Sequence, residues 1–81
     1  MDYTVATPSQ FGAILRGSRK QRGLSQKELA QKVAMGQKAV SAIELNPGST
    51  TFDRLFRLLS ALDLELVVRE KKADGSGSLE W

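Results

Sequence analysis

The stretch that decides the fold is GLSQKELAQKVAMGQKAVSAIE, residues 23–44, in which two short amphipathic segments flank a turn of small residues. The first segment opens with a capping box formed by Ser25 and Glu28. The second begins at about Gln37, after the turn Ala34-Met35-Gly36. The residues that we expect to face the core are Leu29, Ala30, Val33, Val40 and Ile43. Two short helices joined by so brief a turn indicate a helix-turn-helix unit.

A helix is predicted before this unit. Thr7 suits the N-cap, Pro8 the first helical position, and Gln10 completes another capping box. Gly23 ends the helix in the left-handed position that glycine favours. We expect Gly17, which lies inside the helix, to permit close packing of a second helix.

A further helix is predicted after the unit, capped by Thr50 or Thr51. Its apolar residues form a broad stripe of Phe52, Leu55, Phe56, Leu59 and Leu62. The chain is therefore predicted to be mostly α, with four to five helices between residues 8 and 62, after an N-terminal arm at residues 1–7.

The apolar pattern changes to alternation after Asp63, which predicts one short strand at residues 63–69. A lone strand leaves its backbone groups unpaired, so we expect it to pair with the same strand of a second copy in a two-fold homodimer. The short β-prone run Tyr3-Thr4-Val5 is a second candidate partner. The dimer strand would use Leu64, Leu66, Val67 and Val68. Residues 70–81 are polar and glycine-rich and form a predicted flexible tail.

Composition excludes several classes of protein. The 81 residues contain no cysteine and no histidine, which removes disulfides, the usual zinc sites and imidazole catalysis. We therefore expect no enzyme activity, no cofactor, no metal site and no small-molecule substrate. No apolar run approaches the length of a membrane span and no secretory signal is evident, which predicts a cytoplasmic protein without a membrane partner. Residues 1–38 hold seven basic residues against two acidic ones, so this part is a candidate surface for a polyanion.

The spacing of residues 23–44 resembles the lambda-repressor-like DNA-binding domain of phage repressors and Xre-type regulators. The resemblance covers residues 8–62 and implies binding of double-stranded operator DNA with a pseudo-palindromic sequence. A recognition helix places its first turns in the major groove. The predicted base contacts are Gln37, Lys38, Ala39 and Ser41. The predicted phosphate contacts are Ser25, Gln26, Lys27, Arg16 and Asn46. The resemblance also implies a structural ion pair between Arg19 and Glu44.

The whole arrangement resembles the HipB antitoxins of bacterial toxin–antitoxin modules, through the run Leu-Asp-Leu-Glu-Leu-Val-Val at residues 62–68 and the tail that ends in Leu-Glu-Trp. This resemblance implies a dimeric repressor of its own operon that also binds and restrains a HipA-like serine/threonine kinase toxin. We expect Leu79 and Trp81 to dock on that toxin, because tryptophan is favoured at interface hot spots. Two alternatives remain: a stand-alone Xre-type repressor, and an interaction module that binds no DNA.

Overall fold

The computed structural model describes residues 2–71, and in that part of the chain four α-helices and one 3₁₀ helix follow one another. Their bounds are Pro8–Gln21 (α1), Gln26–Lys32 (α2), Gln37–Leu45 (α3), Pro47–Ser49 (3₁₀) and Phe52–Ala61 (α4). The predicted mostly α fold is confirmed, with α2 and α3 forming the helix-turn-helix unit.

Side-chain caps explain where three of the helices begin. The Thr7 hydroxyl accepts from the Gln10 amide at 3.2 Å, and the Ser25 hydroxyl accepts from the Glu28 amide at 3.0 Å. In both cases the residue at the third position also accepts from the backbone of the cap, so both predicted capping boxes are present. Thr51 caps α4, where its hydroxyl accepts from the Arg54 amide at 3.3 Å.

The ends of α1, α2 and α4 share one backbone geometry, the Schellman motif. The residue after the cap has a positive φ in each case: 71° at Gly23, 57° at Ala34 and 55° at Asp63. The amide of the next residue then donates back into the helix. These bonds are Leu24 N to Arg19 O (3.1 Å), Met35 N to Ala30 O (2.9 Å) and Leu64 N to Leu59 O (2.8 Å). Only the first of the three positions carries the glycine that this geometry favours.

The core lies between the four α-helices. It contains all five residues predicted to face inward from α2, its C-cap and α3, including Val40, which is fully buried. The complete set is Leu15, Leu29, Ala30, Val33, Val40, Ile43, Leu55, Leu58, Leu59 and Leu62. This core fixes the angle at which α3 projects from the molecule.

The apolar stripe of α4 is only partly buried. Leu55, Leu59 and Leu62 of the stripe lie in the core, and Leu58 joins them with 1% of its surface exposed. Phe52 and Phe56 instead expose 72% and 50% of their surfaces. At about 100° per residue the two aromatics lie at one edge of the buried face rather than on it.

The close helix crossing lies at Gly12, and the prediction that Gly17 provides it is wrong. A Cβ added at Gly12 would overlap the main-chain carbonyl of Glu44 and lie 3.2 Å from Cδ of Pro47. A Cβ added at Gly17 would meet no atom within 4 Å. Glycine is therefore required where α1 passes the end of α3, one and a half turns before the expected position.

Residues 64–71 have no regular secondary structure in the single chain. Leu64 is partly buried and packs on the core, whereas Leu66, Val67 and Val68 expose 47%, 67% and 91% of their surfaces. A strand formed with a second copy stays a prediction. The predicted toxin contacts, Leu79 and Trp81, lie outside the described residues. Within residues 2–71, no helix combines the length and the apolar character needed to cross a membrane.

Candidate nucleic-acid interface

Helix α3 presents a buried side and an open side. Val40, Ile43 and Glu44 are buried against the rest of the domain. Of the predicted base contacts, Gln37 and Lys38 are exposed, while Ala39 and Ser41 are half-buried and flank the open side. The first turns of α3 are thus accessible to a large ligand, which a recognition helix requires.

The centre of the open side includes Ala42 and Leu45, two residues to which the sequence assigned no role. Opposite the buried positions, the helical period places Lys38, Ala42 and Leu45 in one row. Ala42 is exposed, and Leu45 exposes 77% of its surface. The period that identified Val40 and Ile43 as core residues was sufficient to find Ala42 and Leu45 on the opposite side.

A cleft of about 620 Å³ runs beside this open side, between α1, the start of α2 and α3. It brings together Arg16 and Gln26, two predicted phosphate contacts, with Ser41, a predicted base contact. Its full lining is Ser9, Ala13, Arg16, Gly17, Arg19, Lys20, Gln26, Ser41, Glu44 and Leu45. The other predicted phosphate contacts, Ser25, Lys27 and Asn46, are exposed but do not line the cleft.

Two exposed cations give the cleft its positive character. Arg16 was predicted from the sequence, whereas Lys20, one turn later on α1, was not assigned a role there. Residues four apart on a helix lie on the same side, so both side chains can reach one ligand in the cleft. The i, i+4 spacing of two cations is the sequence signal that points to Lys20.

An ion pair lies at the floor of the cleft. Arg19 Nε donates to Glu44 Oε2 at 2.7 Å, and Arg19 Nη2 donates to Oε1 at 3.2 Å. The residues are only 7% and 8% exposed. This two-pronged geometry neutralises the Glu44 carboxylate directly beneath a surface suited to an anion.

The same carboxylate binds a third donor. Gln26 Nε2 donates to Glu44 Oε1 at 3.1 Å, and Gln26 is half-buried at the edge of the cleft. Arg19 Nη1 also donates to the carbonyl of Leu24 at 2.8 Å, just before α2 begins. The start of α2 is thus attached to α1 and α3 through one network.

The exposed carboxylate of Glu28 is fixed by the cap of α2. The backbone amide of Ser25 donates to it at 2.8 Å, and this hydrogen bond, aided by the Ser25 hydroxyl, lowers the pKa of Glu28 below its ordinary value of 4.5. The cap therefore favours the ionised form of Glu28. No group of three or more acidic side chains suited to a metal ion occurs within residues 2–71.

The sequence and the fold of this chain are similar to those of known proteins. The model of the helix-turn-helix family matches residues 15–68. The chain is 32% identical over 82 residues to the antitoxin HipB of Escherichia coli K12, across 95% of this chain and 93% of that protein. It is similar to a chain of the solved HipA–HipB–O2–O3 complex, with a TM-score of 0.81, 31% identity, and coverage of 88% of this chain and 100% of that chain. For the HipB–O1–O2 complex the TM-score is 0.79 at 30% identity, covering 85% and 100% of the two chains.

Proposed function

We propose a function from one premise: the chain belongs to the HipB antitoxins of the helix-turn-helix family. It is the DNA-binding antitoxin of a type II toxin–antitoxin module, which represses its own operon as a dimer and binds and neutralises a HipA-like serine/threonine kinase toxin. The observation that carries this proposal is the 32% identity to E. coli HipB over 95% of the chain and 93% of that protein. The protein is a binding protein rather than an enzyme, and it works in the bacterial cytoplasm, bound to the operator DNA.

The open side of α3 reads the operator in the major groove. Gln37 has the donor and acceptor that match an adenine edge, and Lys38 can donate to the acceptors of guanine. Ser41 adds a short hydroxyl, and Ala39 can contact a thymine methyl. The exposure of Gln37 and Lys38 supports this assignment.

The cleft beside α3 receives the DNA backbone. Arg16 and Gln26 line it and donate to phosphate oxygens, and Lys20 provides a second cation there. Ser25, Lys27 and Asn46, which are exposed but do not line the cleft, are further phosphate contacts. Contacts of this kind fix the register of the protein on the duplex, and the cationic ones make its affinity dependent on salt.

The homodimer forms through the part of the chain that follows the 3₁₀ helix. Large apolar side chains are exposed on α4, at Phe52 and Phe56, and again at Leu66, Val67 and Val68. Within residues 8–49 the only large apolar side chain that is comparably exposed is Leu45. Apolar surface that the single chain leaves in water supports a self-association surface.

The toxin-binding part of the proposal rests on the family and on residue chemistry. Leu79 and Trp81 are large apolar residues within a polar, glycine-rich segment, and they lie outside the described residues. An aromatic side chain that fills a partner's pocket contributes much of the binding energy of an interface. We therefore assign the docking of the HipA-like kinase to Trp81, with Leu79 beside it.

Two single variants separate the two activities. The full chain is co-expressed with the HipA-like kinase encoded beside it and purified, and its binding to the DNA upstream of its own gene is measured by fluorescence anisotropy. Trp81→Ala should weaken the kinase complex and leave the DNA affinity unchanged. Lys38→Ala, the matched control, should weaken DNA binding and leave the kinase complex intact.

The alternative outcomes have distinct meanings. Binding to the upstream DNA without any complex with a neighbouring kinase would identify a stand-alone Xre-type repressor. A kinase complex without DNA binding would leave an interaction module and would overturn the repressor part of the proposal. A kinase complex that Trp81→Ala does not weaken would overturn the docking role of Trp81 alone.

A further inference from the structure

We propose that Glu44 is a positioning residue for DNA binding, which holds the side chain of Gln26 ready to donate to a DNA phosphate. The inference rests on the proposed DNA-binding function and names a residue that makes no DNA contact of its own. The contact that carries it is the hydrogen bond from Gln26 Nε2 to Glu44 Oε1, 3.1 Å long.

Glu44 is suited to this role because it cannot move. Its side chain is 4% exposed, and Arg19 donates to both of its carboxylate oxygens, at 2.7 and 3.2 Å. The main chain of Glu44 also lies against Gly12, where the two helices cross. A side chain fixed in both its carboxylate and its backbone is a rigid anchor for a third group.

Gln26 gains a defined orientation from this anchor. A glutamine side chain on a surface samples many rotamers, and that freedom must be lost when the side chain binds a ligand. In the free protein, one amide proton of Gln26 is already directed at Glu44. Its second amide proton and its carbonyl oxygen remain for a partner at the edge of the cleft that Arg16 and Ser41 also line.

The charges of the network formed by Arg19, Glu44 and Gln26 are compatible with a phosphate bound in the cleft. A carboxylate close to a phosphate repels it, but the two-pronged contact with Arg19 neutralises Glu44. Gln26, at the edge of the same cleft, adds a neutral donor beside the neutralised pair. Because Gln26 is neutral, its contact with phosphate releases no counterion and contributes nothing to the salt dependence of binding.

A double-mutant cycle tests the inference. The affinity for the DNA directly upstream of the gene is measured across a range of salt concentrations for four proteins: wild type, Gln26→Ala, Glu44→Gln and the double variant. We expect Gln26→Ala to weaken binding by about three- to tenfold with an unchanged salt slope, and Glu44→Gln to weaken it by a similar factor. Glu44→Gln should add little in the Gln26→Ala background, because it acts by replacing the charged acceptor of Gln26 with a weaker amide oxygen, and Gln26→Ala has already removed that contact.

A purely structural role for Glu44 gives a different result. In that case Glu44→Gln would weaken binding by the same factor in both backgrounds, and the inference would be overturned. Arg19→Lys, which loosens the ion pair but keeps Gln26 and Glu44, reports the cost of a weakened pair alone. Wild-type protein that binds no duplex at all would overturn the proposed function itself, a result distinct from additive effects.

A measurement without DNA or variants covers the case in which Glu44→Gln fails to fold. NMR relaxation of side-chain amide nitrogens compares Gln26 with Gln31, an exposed glutamine of the same helix. The Gln26 side chain should be ordered to nearly the level of the backbone, and the Gln31 side chain mobile. Equal mobility of the two side chains would overturn the inference.

Discussion

The guanidinium of Arg57, on α4, donates a hydrogen bond of 3.1 Å to the main-chain carbonyl of Val33, the C-cap of α2. Val33 immediately precedes the turn between α2 and α3. This bond therefore links α4 to the turn that sets the position of α3.

Replacing Arg57 by alanine should lower the free energy of unfolding by about 1 kcal/mol, since the carbonyl of Val33 loses its charged donor. Arg54→Ala, which changes an exposed arginine of the same helix, is the matched control and should have a smaller effect. Urea denaturation of the two variants measures the difference. Equal effects would mean that the bond to Val33 does not stabilise the domain.

The two glycines of α1 should respond in opposite directions to the same substitution. Gly17→Ala should raise the free energy of unfolding by up to about 1 kcal/mol, because alanine favours the helix and its Cβ has open space. Gly12→Ala should lower it by about 1–3 kcal/mol, because the new Cβ must push α1 away from the Glu44 carbonyl. Thermal unfolding of both variants shows whether each substitution stabilises or destabilises the protein. A stabilising Gly12→Ala would show that α1 is not tightly packed against the end of α3.

Ala34 occupies a backbone conformation that favours glycine. Its φ is 57°, in the turn between α2 and α3, where an L residue with a Cβ is strained. Ala34→Gly should therefore stabilise the protein by about 0.5–1 kcal/mol, the relief of strain exceeding the extra entropy of the unfolded chain. The reference variant is Ala13→Gly, at an exposed site inside α1, which should be destabilising.

The cap of α2 predicts a dependence of stability on pH. The pKa of Glu28 is lowered in the folded protein, so the ionised carboxylate stabilises the fold above its ordinary pKa of 4.5. That contribution disappears as the pH falls from 4.5 through the lower pKa of the folded state. The melting temperature of the wild type should thus fall more steeply in acid than that of Glu28→Gln. Parallel curves for the two proteins would contradict this role of the carboxylate.

The specificity of operator binding should depend on Gln37. Gln37→Ala should cost about 1–3 kcal/mol of discrimination and relax the preference at one base pair of each half-site. Selection of bound duplexes from a randomised pool, for wild type and variant, measures the change. A variant that keeps full specificity would show that Gln37 does not contact a base.

Local patterns in the sequence were sufficient to place the helices. The capping boxes at Thr7 and Ser25 predicted two helix starts, and α3 begins at Gln37 as expected. Local patterns reveal which residues are apolar, but not what covers them, so the stripe of α4 does not distinguish the buried Leu55 and Leu59 from the exposed Phe52 and Phe56. A glycine, likewise, carries no mark of whether another helix passes it.

The contacts that shape the candidate site are long-range. Gln26 and Glu44 are 18 residues apart and meet through side chains whose orientations depend on the packing of α2 against α3. Nothing in the types of these two residues predicts that pairing. Ala34 and Asp63 show the same limit for the backbone, because neither is the glycine that would have signalled a positive φ.

The two sides of α3 differ in how freely they can change during evolution. The main chain of Glu44 packs against Gly12, and its carboxylate accepts from Arg19 and Gln26. A substitution there therefore disturbs the helix packing, the charge balance and the start of α2 together. Lys38, Ala42 and Leu45 lie on the other side of the same helix, open to water. Under the proposed function, new operator preferences arise by substitution at these outer positions while the folded scaffold stays intact.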